Sequence, residues 1–96
     1  MIIRSQDKKS ITPLCEISIV PIRNHVQRKE YRTIGYKMVT DKNLEIGRYS
    51  TEEKAIKVLD MICAEYQYAE ECKHTGVGST PPEFVFQMPS DEEVEV

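Results

Sequence analysis

The chain has 96 residues, the length of one small domain, and its 40% hydrophobic and 30% charged residues are typical of a folded protein in water. It contains no run of about 18 apolar residues, which excludes a membrane-spanning helix, and its opening MIIRSQDKK lacks the apolar core of a secretory signal. The net charge of −3 opposes non-specific binding to duplex DNA. We therefore expect a cytoplasmic protein that binds neither membranes nor duplex DNA.

Charge is divided unequally between the two halves of the chain. Residues 1–50 carry ten Lys and Arg against five Asp and Glu, a net +5, whereas residues 51–96 carry three against eleven, a net −8. This division is typical of a basic face that meets an anion, of self-association between unlike faces, or of a solvated surface with an acidic tail. Because a domain this small buries only about 60 to 65% of its unfolded surface, its core is thin and we expect a homo-oligomer.

The first part of the chain predicts short strands. Residues 1–3 are apolar and lead into a polar turn, in which Asp7 can accept hydrogen bonds from backbone N–H groups. A second strand is predicted near Lys9–Thr12. Residues 15–22 alternate between apolar and polar side chains, as a half-buried strand does. Residues 23–30 are predicted to be a polar connection.

A β-hairpin is predicted next. Residues 31–40 alternate, residues 41–43 have turn chemistry, and residues 44–49 return as an antiparallel strand. The side chains predicted to share the apolar face of this hairpin are Ile34, Tyr36, Met38, Thr40, Leu44 and Ile46.

The strongest pattern in the chain is a helix that follows residue 50. Ser50 and Glu53 fit a capping box, and Gly76 suits the position after the last turn. A continuous helix of about 24 residues is ~36 Å long, which exceeds the length of strands of about five or six residues. Its second half, YQYAEECKH, is therefore expected either to overhang the sheet and meet another subunit or to break near Tyr66–Tyr68. The predicted buried stripe is Ala55, Leu59, Ile62, Tyr66 and Ala69.

The end of the chain predicts a loop, a strand and a tail. Residues 75–82 form a loop by composition, and residues 83–88 predict a short strand at a sheet edge with Phe84 and Phe86 on one face. Residues 89–96 carry four acids and no aromatic residue, so we expect disorder. The elements together predict an α+β fold: one domain over residues 1–88, with an antiparallel sheet of about four to six short strands packed on one long helix, followed by a disordered acidic tail.

The cysteines and histidines predict no catalytic or metal site. An odd number of cysteines argues for reduced thiols rather than a disulfide framework, and Cys63 is expected in the core because it falls within the apolar helical pattern. His25 and His74 accompany no nucleophile motif. Cys63, Cys72 and His74 would give zinc only three ligands, without a CxxC pair. We expect a protein that is not an enzyme and requires no cofactor or metal.

Basic and aromatic residues are interleaved in the first half of the chain. Arginine binds phosphate oxygens through two parallel hydrogen bonds, and an aromatic ring can stack on a nucleobase. A strand surface that carries the same residues for solubility is the alternative. The residues predicted to bind a small anionic nucleotide are Arg4, Lys8, Lys9 and Arg48, with Tyr36 or Tyr49 stacking on the base.

Three segments together resemble a group of small proteins encoded by phages and prophages of Gram-positive bacteria. They are MIIRSQDKKSI at the start, GRYSTEEKAIKVLDMI at the helix, and FQMPSDEEVEV at the end. The resemblance implies an accessory protein that binds rather than catalyses, in the cytoplasm of the bacterial host. It assigns no functional residue.

Two functions are compatible with these observations. The first is an anti-defence protein that sequesters an anionic nucleotide signal of the host. The second is a protein–protein interaction module that inhibits or redirects a host protein, either through YQYAEECKH or through the acidic tail.

Overall fold

The computed structural model describes residues 1–26, 30–74 and 85–95, apart from the side chains of residues 24–26, 30, 31 and 72–74. The elements in these ranges are β1 Ile2–Arg4, β2 Ile11–Pro13, β3 Ile17–Val26, β4 Glu30–Thr40, β5 Glu45–Tyr49, α1 Glu52–His74 and β6 Val85–Gln87. The strands form a small sheet of order β2-β1-β6 and a large sheet of order β3-β4-β5. The predicted α+β fold is confirmed, although its strands divide between two sheets.

The large sheet is a long hairpin with a shorter third strand. β3 has ten residues and β4 eleven, so both strands enter the segment 23–30 that was predicted to be a polar connection. A register shift beside Ile22 and Arg23 marks a bulge in the hairpin. Ile34 lies at this bulge and is 58% exposed, whereas Met38 and Thr40 are buried as predicted. The extra residue of a bulge interrupts the regular alternation, which accounts for the exposure of Ile34.

The small sheet joins the two ends of the chain. β1 pairs antiparallel with β2 and parallel with β6, where Ile3 lies opposite Phe86. Ile3 is fully buried and Phe86 is 8% exposed. The predicted strand near the C-terminus is therefore present as β6. The predicted loop over residues 75–82, together with Phe84, lies outside the described residues.

The helix α1 is continuous over 23 residues, a length of about 35 Å, with no break near Tyr66–Tyr68. Its N-cap is Thr51 rather than Ser50, because the Thr51 hydroxyl oxygen accepts the N–H of Lys54 at 3.2 Å. Glu52 and Glu53 occupy the first turn, where negative charge is favourable.

Only one side of α1 packs on the sheets. Ala55, Val58 and Ile62 are buried in the core, whereas Tyr66 is 43% exposed. Cys63 is also exposed, so the prediction that it belongs to the core is wrong. Since each residue turns the helix by about 100°, the side chain of Cys63 points away from the face that Ile62 buries.

The acidic tail differs from the predicted disorder in its described part, residues 89–95. Val94 is 5% exposed and belongs to the hydrophobic core with Met88. The Asp91 carboxylate accepts hydrogen bonds from the backbone N–H of Ser50 at 2.7 Å and from its hydroxyl at 3.0 Å. The buried side chain of Val94 and the contact of Asp91 with Ser50 hold this segment in place. The average composition of the segment indicates neither contact.

Candidate functional site

The turn between β1 and β2 is closed by its own side chains. Ser5 donates its hydroxyl to Asp7 Oδ1 at 2.5 Å, and the same oxygen accepts the N–H of Lys9 at 2.9 Å. These two hydrogen bonds lower the pKa of Asp7, the bond from Ser5 being the larger cause. Lys8 adopts a positive φ of 65°, a conformation that tight turns require. The motif SQDKK therefore forms a turn that its own hydrogen bonds stabilise.

Gln6 attaches this turn to the edge of the large sheet. Its backbone N–H donates to the carbonyl of Ile46 at 2.8 Å. Its side-chain amide accepts the N–H of Arg48 at 3.0 Å and donates to the carbonyl of Arg48 at 3.0 Å. The same amide donates to the carbonyl of Pro89 at 3.1 Å. Gln6 therefore connects the turn, β5 and the tail, a role that the sequence analysis did not assign to it.

A groove of about 210 Å³ lies between the turn and β5, lined by residues 5–7 and 45–48. Four predicted ligand residues, Arg4, Lys8, Lys9 and Arg48, are exposed on the turn and strand that form it. Of these four, Arg48 lines the groove, whereas Arg4, Lys8 and Lys9 lie outside its lining. The groove itself also contains the carboxylates of Asp7 and Glu45.

Arg48 is already bound by a carboxylate of the same strand. Its Nε contacts Glu45 Oε1, and its Nη2 donates to Glu45 Oε2 at 3.2 Å. Hydrogen bonding and attraction from Glu45 raise the pKa of Arg48. A phosphate would therefore compete with Glu45 for the guanidinium group, which makes the groove a mixed rather than a basic surface.

The two predicted stacking residues do not line the groove. Tyr49 is 2% exposed, and its hydroxyl donates to the carbonyl of Pro89 at 2.8 Å. Burial, followed by the negative charges of Asp91 and Glu93, raises the pKa of Tyr49. Tyr36 lies opposite Tyr49 in the β4–β5 pairing and packs half-buried against the core. Both rings face the interior, which contradicts the predicted stacking role.

One flank of α1, beside its buried face, carries a second apolar surface. Ile56, Leu59, Cys63 and Tyr66 follow one another at intervals of three, four and three residues, which keeps them on one side of a helix. Ile56 and Tyr66 are each 43% exposed, Cys63 is exposed and Leu59 is half-buried. We call these four residues the apolar stripe.

An acidic row runs beside the apolar stripe. It consists of Glu53, Asp60 and Glu71, which are all exposed. Intervals of seven and eleven residues return to nearly the same side of a helix. The sequence predicted a candidate surface in the second half of the helix, whereas the stripe begins with Ile56 in the first half.

The described residues show no metal cluster: no group of three or more His, Cys, Asp and Glu side chains among them could hold an ion. Among the described residues, no helix is both long enough and apolar enough to cross a membrane. The side chains of Cys72 and His74, and that of His25, lie outside the description. No protein family, curated protein or solved structure matches this chain.

Proposed function

We propose that this chain is a non-enzymatic protein–protein interaction module whose docking surface is the apolar stripe of α1 with its acidic row. The observation that supports it is the exposure of Ile56 and Tyr66, 43% each, on a helix whose other side is already buried in the core. Large apolar side chains that recur on one side of an exposed helix are a common docking surface for a protein partner. In the core, α1 packs through Ala55, Val58 and Ile62, and the half-buried Leu59 packs against them. Ile56 and Tyr66 do not belong to that cluster and stay exposed.

The composition of this surface defines the chemistry of the partner. An aromatic residue such as Tyr66 is typical of the residues that dominate binding energy when they are buried. Asp60 and the other members of the acidic row favour a partner whose apolar residues are bordered by Lys or Arg, since complementary charge orients the encounter and excludes wrong partners. The proposed partner is a protein surface that is apolar and positively charged.

A synthetic probe tests the docking surface without a known partner. The probe is a fluorescein-labelled amphipathic peptide of leucine and lysine, and binding is followed by fluorescence anisotropy. We expect Ile56→Asp to weaken binding at least tenfold, because it places an unpaired charge in the contact. Met61→Asp is the matched control: Met61 is 37% exposed, lies on the opposite flank of α1, and acquires the same charge. Equal losses in both variants, or none in either, would contradict the proposal.

Nucleotide capture is the second candidate function, and one observation favours it. Arg48 lines the groove, and Arg4, Lys8 and Lys9 are exposed on the neighbouring strand end and turn. The resemblance to phage proteins suggests a nucleotide signal of host defence as the ligand. A panel of mononucleotides and cyclic dinucleotides should then raise the melting temperature, by an amount that corresponds to about 2.7 kcal/mol at 100 times the dissociation constant. Replacement of both Arg4 and Arg48 by Ala should remove the rise. An unchanged melting temperature across the panel would exclude this candidate.

A further inference from the structure

The large sheet has a second face that no described element covers. α1 packs on the face that carries Ile19 and Met38. Because side chains alternate along a strand, the opposite face carries Val20, Ile22 and Val39, which are all half-buried. We call this second face the open face.

The open face combines these aliphatic side chains with cations. The pairing of the strands places Val20 opposite Lys37, and Lys37 opposite Arg48, so the three side chains form one row across the sheet. Arg48 is paired with Glu45, yet its side chain remains 65% exposed. Across the groove from β5 lies the turn that carries the exposed Lys8 and Lys9. The open face is therefore apolar with a cationic border, the chemistry that suits the apolar stripe and its acidic row.

The two surfaces also match in length. From Ile56 to Tyr66 the stripe extends about 15 Å. The side chains that define the open face lie across residues 18–22 of β3 and their partners on β4, a length of about 13 Å. A sheet with helices on both faces is a stable layer arrangement, because both apolar faces are then covered. A single chain supplies only one of these helices in its described part.

We infer that the partner of the apolar stripe is a second copy of this chain, whose open face receives the stripe in a head-to-tail contact. This inference rests on the proposed function and names its partner. The contact is heterologous, since two different surfaces meet, and a pair of copies keeps one free stripe at one end and one free open face at the other. Such contacts generate closed rings or open chains. The contact sets a surface from the half of the chain with net charge −8 against a surface from the half with net charge +5.

Pairing of two stripes with each other is disfavoured by charge. An antiparallel pair that sets Ile56 against Tyr66 of a second copy has its two-fold axis near residue 61, which brings Asp60 close to Asp60 of the second copy. Like charges in such positions repel, whereas the open face offers Lys37 and Arg48 instead.

Mixing two defective variants tests the head-to-tail contact. Ile56→Asp damages only the stripe and Val20→Asp only the open face, and sedimentation velocity gives the mass of each species. We expect the unaltered protein to assemble with increasing concentration, each variant alone to lose self-affinity at least tenfold, and the equimolar mixture to form a dimer of twice the 11.1 kDa chain mass. Met61→Asp should assemble like the unaltered protein.

Other outcomes separate this inference from the proposed function. An assembly that the variant mixture does not restore would overturn the head-to-tail contact. A protein that stays monomeric into the millimolar range, but binds the leucine–lysine peptide through Ile56, would overturn the second copy as partner and leave the docking surface intact. If circular dichroism shows that Val20→Asp is unfolded, the charge variants Asp60→Lys and Lys37→Glu replace the pair. Separately they should fail to assemble, and together they should associate.

Discussion

The side-chain amide of Gln6 pairs with the backbone of Arg48 as a neighbouring strand would. It accepts the Arg48 N–H at 3.0 Å and donates to the Arg48 carbonyl at 3.0 Å. These two bonds occupy backbone groups at the edge of β5, an edge that would otherwise be open to pairing with another strand. The amide also donates to the carbonyl of Pro89 at 3.1 Å, so one side chain holds three parts of the chain together.

Replacement of Gln6 by Ala should therefore destabilise the fold. The change removes three hydrogen bonds that join the turn, β5 and the tail, at an expected cost of about 1 to 3 kcal/mol in the free energy of unfolding. Urea denaturation measures this cost. Lys9→Ala, an exposed change in the same turn, is the control and should cost less than about 0.5 kcal/mol. Equal stability of the Gln6→Ala variant and the unaltered protein would show that this bridge does not stabilise the domain.

The contact of the tail with the helix start makes stability depend on pH. Hydrogen bonds from Ser50, followed by the charge of Lys54, lower the pKa of Asp91 below its ordinary value of 3.8. A carboxyl whose pKa is lower in the folded state stabilises the fold above pH 3.8. This contribution is lost as pH falls through the lower, folded-state pKa.

We expect the stability difference between the unaltered protein and Asp91→Asn to be largest at about pH 6 and to shrink towards about pH 2.5. Urea denaturation of both proteins at a series of pH values measures it. Asp7 and Glu93 also have lowered pKa values, and the comparison cancels their contributions because both proteins contain them. Glu92→Gln, an exposed neighbour, should show no such trend. A difference that does not change with pH would exclude the ionised Asp91 contact.

Gly47 lies where a side chain would meet the core. A Cβ atom there would come within 3.2 Å of Tyr49 Cε2 and 3.3 Å of Met88 Cε. The Met88 methyl group can move, but the hydrogen bond from Tyr49 to Pro89 holds the tyrosine ring. Gly47→Ala should cost about 1 to 3 kcal/mol by overpacking. Thermal denaturation compares it with Ser18→Ala, an exposed strand position, and equal melting temperatures would disprove the steric conflict.

Local patterns in the sequence predict the large elements but not how the ends of the chain meet. The alternation around Met38 and the helical spacing around Val58 are strong because each element is long enough to show its period. β1 and β6 have three residues each, which is too short for a period, so their pairing and the second sheet were not predicted. The contact of Asp91 with Ser50 joins residues 41 positions apart, and no local pattern indicates it.

Local patterns also do not predict where the single residues of the candidate site lie. Of the predicted cations, Arg48 lines the groove, whereas Arg4 lies in β1 and Lys8 in the turn that follows it. Arg48 and Tyr49, however, are consecutive residues of one strand, so their side chains point to opposite faces and could not have formed one pocket wall. The prediction for Cys63 was wrong for a similar reason. Neighbouring residues of a helix point about 100° apart, so Ile62 is buried while Cys63 is exposed.

The reactivity of Cys63 tests most directly whether the apolar stripe docks on the open face. A trace amount of protein with Cys15→Ser and Cys72→Ser is mixed with increasing concentrations of a cysteine-free Ile56→Asp carrier, whose open faces stay available. Alkylation of Cys63 by iodoacetamide should slow several-fold as the carrier covers the stripe, while a thiol introduced by Met61→Cys in a Cys63→Ala background should react at a constant rate. A Cys63 rate that is unchanged at every carrier concentration would contradict the docking of the stripe on a second copy.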